Sequence, residues 1–189
     1  MKDNMRILIC FLAGLIFFIM ISPGCSKSKT AAPVTPVVLK LGDSYQGGII
    51  FFLDASGKHG LIAATMDQSK STPWWNGSFV SIGVANTVDG SANTTTIIQV
   101  QGNSTNYAAK ICRDYRGGGY TDWFLPAKDQ LNTLYNQKVV VGGFTDDIYW
   151  SSTEFDVGSV WVQYFLNGLQ HLDNTSDGAT VGTRAIRSF

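Results

Sequence analysis

The sequence predicts an α+β domain, with two main helices packed on a twisted, mostly antiparallel sheet. Three observations predict it. Tyr107, Ala108, Ile111, Cys112 and Tyr115 recur at i, i+1, i+4, i+5 and i+8, the single apolar face of an α-helix. Gly48–Leu53 (GIIFFL), Tyr149–Thr153 and Val160–Leu166 are β-branched and aromatic runs bounded by turn residues, the pattern of strands. Twenty glycines, 12% aromatic residues and only 15% charged residues describe a loop-rich domain held by aromatic packing.

The chain has 189 residues, one domain's worth once targeting segments are set aside. Residues 1–24 have the layout of a secretory signal: Lys2 and Arg6, then a 15-residue apolar core from Ile7 to Ile21, then Ser22-Pro23-Gly24. That core is shorter than the roughly 20 residues a spanning helix needs. Removing these residues leaves 12 basic and 13 acidic side chains, a balance with no field to attract nucleic acid or an anionic membrane. One glutamate (Glu154) and two histidines (His59 and His171) are a thin supply of general acids and bases. Cys10 and Cys25 belong to the export segment, so the mature domain keeps Cys112 alone. Neither an intramolecular disulfide nor a cysteine-based zinc site can form there.

Gly24 before Cys25 resembles the bacterial lipoprotein signal, in which the cysteine is lipidated and becomes the mature N-terminus; ordinary secretion with Cys25 free, or an uncleaved anchor, is the alternative. Residues 25–40 then read as a tether, because Pro33 and Pro36 favour extended chain. Its basic character favours the periplasmic face of the outer membrane over the cell surface.

The folded domain is expected over residues 41–189. Gly48–Leu53 and Leu61–Ala64 pair as a hairpin across a turn carrying His59. Asn93–Gln101 reads as a short helix with weak support from its threonine run. The Tyr107–Tyr115 helix stops at Gly117-Gly118-Gly119, since glycine tolerates the left-handed cap. Pro126 suits the first turn of a second helix that buries Leu131, Leu134 and Tyr135. Asn167-Gly168 reads as the strongest hairpin turn, because both residues accept positive φ. Asn174 to Gly178 turns again, and Val181–Phe189 closes the domain.

YAAKICRDYRGGGYTDWFLPAKDQLNTLY at Tyr107–Tyr135, YWSSTE at Tyr149–Glu154 and TRAIRSF at Thr183–Phe189 together resemble the Lcl C-terminal domain-like family. The resemblance covers about Leu41 to Phe189 and implies a C-type-lectin-like fold. Two departures stand out. Related helices open Leu-Pro-Ser/Thr-x-x-Glu, a capping box; Ala127 and Gln130 take those places here. Restoring the hydroxyl as Ala127→Ser is expected to stabilise the domain by about 0.5–2 kcal/mol. The calcium motifs of sugar-binding C-type lectins are also missing. The pattern looks distantly like the formylglycine-generating enzyme fold as well, but the cysteine pair those enzymes use is not present.

Candidate sites follow from side-chain chemistry. Trp74, Trp75 and Trp161 offer faces that stack on sugar rings, with Asn76, Gln163 and His171 to bond hydroxyls. Two adjacent tryptophans in a loop do not both easily face inward, so at least one of Trp74 and Trp75 is expected at the surface. Trp123 and Trp150 are expected in the core. Asp146, Asp147 and Glu154 are weak metal candidates, since calcium needs six to eight oxygens, and an exposed loop is the competing reading. Cys112 reads as a small core residue. No cofactor is expected. The combined reading is a lipid-anchored, non-enzymatic binding or adhesion module of the envelope, glycan-binding in one version. The alternative is a structural or protein-interaction lipoprotein of an envelope complex.

Overall fold

The computed structural model describes residues 38–145, 147–176 and 181–189. The export segment, Cys25, most of the tether and Asp146 lie outside these described residues, as does the end of the Asn174–Gly178 turn. The rest is α+β, but the strands form two sheets rather than one. The first has β1 (Ser44–Tyr45), β2 (Gly48–Leu53), β3 (Gly60–Ala63) and β8 (Ile186–Ser188) in that order, all antiparallel. The second runs β6 (Gln170–Asn174), β5 (Ser159–Tyr164), β4 (Ile148–Asp156) and β7 (Val181–Gly182), with β7 parallel to β4. The expected closing strand is therefore divided. Val181–Gly182 belong to the second sheet, and Ile186–Ser188 pair with β3 of the first.

The first sheet is buried on both faces, which explains the unbroken apolar run of β2. Ile50 and Ile62 join a cluster with Trp74, Ile97, Cys112, Trp123, Leu125 and Trp150. Their strand neighbours Phe51 and Ala63 join Phe124, Leu131, Leu134, Tyr149 and Phe165 on the opposite side. The Trp123-Phe124-Leu125 segment alternates in the same way. Phe124 exchanges two backbone hydrogen bonds with Ile186, at 2.8 and 3.0 Å. Both Trp123 and Trp150 are fully buried, as their motifs led us to expect.

The described residues form four α-helices: α1 (Gly90–Gln101), α2 (Ala108–Asp114), α3 (Lys128–Asn136) and the single turn α4 (Lys138–Val141). α1 starts three residues before the expected helix because Asp89 caps it, accepting from Ala92 N–H at 2.9 Å. Its inward side carries polar groups. Asn93 donates to Asn86 O at 2.7 Å, and Thr94 Oγ1 accepts from Leu125 N–H at 3.0 Å. Pro126 lies outside the first turn of α3, one residue before the N-cap Ala127. Only half of the capping box survives, with Gln130 Oε1 accepting from Ala127 N–H at 3.0 Å. The missing hydroxyl is replaced from other elements: Lys128 N–H donates to Thr153 Oγ1 at 3.0 Å and Asp129 N–H to Thr87 O at 2.8 Å.

The hairpin turns are also redistributed. Positive φ at both central residues, which a type I′ turn demands, is found at Gln46 (45°) and Gly47 (86°) between β1 and β2. Asn167 does not take it. Gly168 alone is left-handed, in a longer loop closed by Gly168 N–H donating to Tyr164 O at 2.7 Å. Asn167 instead accepts Leu169 N–H on its side chain at 3.0 Å.

The two arginines of TRAIRSF are structural ties. Arg184 is buried and donates to Asp67 Oδ1 at 2.7 Å, Ala64 O at 2.9 Å and Gly143 O at 2.5 Å, with its guanidinium over Phe144. Arg187 forks onto Asp122 at 2.6 and 2.9 Å, bonds Gln46 and lies over Tyr120.

Candidate binding surface

The structure disperses the residues that were expected to form one ligand site. Trp74 is buried, and its indole N–H donates to Ser151 O at 2.8 Å. This ring is core. A buried tryptophan needs a partner for its N–H, and the β4 backbone supplies it. Asn76 is turned inward as well, donating to Gln101 O at 2.5 Å while its own N–H takes Gln101 Oε1. Gln163 is fully buried and bonds Asn132 Oδ1 at 2.9 Å and Gly168 O at 3.1 Å. None of these three is available to a ligand. Trp75 and Trp161 are half-buried, as is Asn76, and His171 is exposed. His171 sits on β6, its ring edge-on to Tyr164 at 6.4 Å.

Among the described residues, the acidic candidates Asp147 and Glu154 do not come together. Asp147 is exposed. Glu154, six residues along β4 from its start, stands roughly 20 Å away at strand rise. Its carboxylate is buried and already used: Ile82 N–H donates to both oxygens at 3.1 Å and Gly83 N–H to one at 2.5 Å. Two successive amides thus hold this anion, and Gly83 adopts φ 77° to present its own. Cys112 is fully enclosed, and burial pushes its thiol well above the usual range. A thiol so held is not a nucleophile. His59 lines a separate cleft of about 440 Å³ with Phe52, Asp54, Val88, Asp129 and Phe189. There Asp54 Oδ1 accepts from both the backbone N–H and the hydroxyl of Ser56, at 3.0 and 2.6 Å. The Ser56 bond holds the Asp54 carboxyl below its usual pKa.

A different grouping brackets the β4–β5 turn. Trp75 and Phe79 meet edge to face, centroids 5.8 Å apart, in the loop that Glu154 pins. Phe79 lies against Gly158 of the turn, where a Cβ would come within 2.8 Å of its ring. Phe155 and Trp161, on neighbouring strands, form a second edge-to-face pair at 6.2 Å. Lys128 Nζ, from the start of α3, sits 3.6 Å from the Trp161 ring centroid, a cation–π contact. Phe79 is 66% and Phe155 60% exposed, and Val80 and Val157 continue the apolar surface. Sequence reasoning named Trp75 and Trp161 but missed Phe79, Phe155 and Lys128. The available signal was a lone phenylalanine in a Gly-Ser-Phe-Val loop, and another just before a Val-Gly turn.

No family model matches the chain, and no curated protein matches it. Among solved structures, it is similar to a fimbrial protein from Bacteroides ovatus, at 14% identity and a TM-score of 0.49. That alignment covers 77% of this chain and 45% of the fimbrial protein, so the chain spans less than half of that structure.

Proposed function

We propose that the protein is a lipid-anchored, non-enzymatic binding module of the bacterial cell envelope. It holds a protein partner through the aromatic surface around the β4–β5 turn. The observation that carries this reading is the exposure of Phe79 and Phe155 beside Trp75, Trp161, Val80 and Val157. Exposed aromatic side chains grouped about one turn mark interaction sites on folded domains. Aromatic anchors supply most of the energy in such interfaces.

The anchor rests on the apolar core and Gly24-Cys25 of the leader, and the membrane face on the basic tether. The resemblance to Lcl C-terminal-like, C-type-lectin-like domains supports a binding role. A protein partner fits the surface better than a sugar. The amides that would bond hydroxyls, Asn76 and Gln163, are engaged inside the fold, and Lys128 occupies one face of Trp161.

Phe79→Ser and Phe155→Ser in the full chain test the reading. Both variants are expected to fold and to lose the partner that the wild-type protein retains in detergent-solubilised envelopes, while a glycan array stays blank. Binding to a defined glycan that depends on Trp161 and ignores both phenylalanine changes would contradict the protein-partner reading.

A further inference from the structure

β6 is the outer strand of the second sheet, pairing with β5 on one side and with no strand among the described residues on the other. Two bonds fix the parity of its ladder. Tyr164 N–H donates to Leu169 O, and Thr175 N–H to Gly158 O, both at 2.9 Å. Hydrogen-bonded and non-bonded pairs alternate in an antiparallel ladder. His171 and Asp173 therefore spend their backbone groups on β5, whereas Gln170, Leu172 and Asn174 turn theirs outward, the Asn174 N–H donating to Asp173 Oδ1 at 2.8 Å. An edge of this kind is a template for another strand.

We propose that this edge pairs antiparallel with the same edge of a second copy of this chain, about a two-fold axis at Leu172. The sequence Gln-His-Leu-Asp-Asn is self-complementary about that residue. In this register Leu172 meets Leu172 and Gln170 meets Asn174, so the outward-turned residues of the two copies bond one another, the Asn174 N–H exchanging Asp173 Oδ1 for Gln170 O of the other copy and releasing that carboxylate oxygen. His171 falls opposite Asp173 of the other copy, and does so twice. These are non-bonded positions, where Cα atoms approach to about 4.5 Å and side chains touch. The His171 side chain is exposed and Asp173 half-buried, so both can make that contact.

Other registers fail for stated reasons. Moving the axis to His171 sets the two histidines against each other, and moving it to Asp173 opposes the two carboxylates. A shift by one residue confronts outward groups with groups already spent on β5. The contact is isologous and closes at two copies, which removes the open edge instead of propagating it.

Sedimentation velocity of the full-length chain in detergent, over a concentration series, tests the pairing. A reversible monomer–dimer equilibrium is expected for the wild type. His171→Glu and Asp173→Lys should each weaken it about tenfold, and the double variant, which restores opposite charges, should recover it. Leu172→Pro removes an outward N–H without touching the β5 ladder, a position where an edge strand accepts proline; it should abolish the dimer while tryptophan fluorescence reports an intact fold. A wild type that stays monomeric to its solubility limit would overturn the proposal. So would a dimer that folded His171→Glu and Asp173→Lys variants leave unchanged.

Discussion

Arg184 and Arg187 lie three positions apart in one closing segment, yet they hold the fold with different strength because their partners differ in exposure. The Arg184–Asp67 pair is buried on both sides, with Tyr149 OH donating to the second Asp67 oxygen at 2.9 Å. Asp67→Asn leaves an uncompensated buried guanidinium, and chemical denaturation should show a loss of about 3–5 kcal/mol. Asp122 is largely exposed, so Asp122→Asn should cost no more than about 1 kcal/mol. The Arg187 bond holds the Asp122 carboxyl below its ordinary 3.8. A carboxyl depressed in the folded state contributes stability above that ordinary value and loses it as pH falls through the lower, folded one. The wild type should therefore lose stability on the acid side of pH 4, and Asp122→Asn should flatten that limb. At the start of α3, Lys128 and Asp129 amides already have acceptors from Thr153 and Thr87. Ala127→Ser has the Gln130 amide left to serve, so its gain should fall near the low end of the capping range, about 0.5 kcal/mol.

At the scale of elements, close approach decides which turns tolerate change. A Cβ on Gly47 would come within 2.6 Å of the backbone of Gly117 and Gly118, and Gly47 itself has φ 86°. The β1–β2 turn thus rests directly on the Gly117–Gly119 turn that follows α2. Gly47→Ala should cost about 2 kcal/mol or more in thermal denaturation, because strain and overlap add. Glu154→Gln should act differently. It weakens the hold on Ile82 and Gly83, so amide exchange should quicken at residues 78–84 before the core loosens. The α2 and α3 helices and the β2–β3 hairpin were legible because each rests on local periodicity; the glycines do not stop α2, which ends at Asp114 on an extended Tyr115, with Gly117–Gly119 forming a separate turn beyond it. α1 was faint because its buried side presents Asn93 and Thr94. The Gln46-Gly47 turn was hidden because glutamine gives no sign of accepting positive φ. The division of Val181–Phe189 between two sheets depends on contacts with β3 and β4, which no local pattern records.

For the whole molecule, the first sheet is enclosed on both faces and the second presents its hairpin tip to the surroundings, so the exposed aromatic surface falls at the β4–β5 turn. The site was half legible. Trp75 and Trp161 were named from side-chain type alone, while Trp74, Asn76 and Gln163 were named as ligand contacts although hydrogen bonds within the fold engage them. Such bonds, from Trp74 to Ser151 across 77 positions for instance, leave no trace in local sequence. Phe79 and Phe155 are exposed, so their replacement by serine should change stability by no more than about 0.5 kcal/mol. The most direct measurement is site-specific photo-crosslinking of the full-length protein in bacterial envelopes, with the reactive side chain at Phe79, Phe155 and Val139, the last an 89%-exposed control on α4. The account predicts one crosslinked protein shared by positions 79 and 155 and absent at 139. Crosslinks equal at all three positions, or none at 79 and 155, would contradict it.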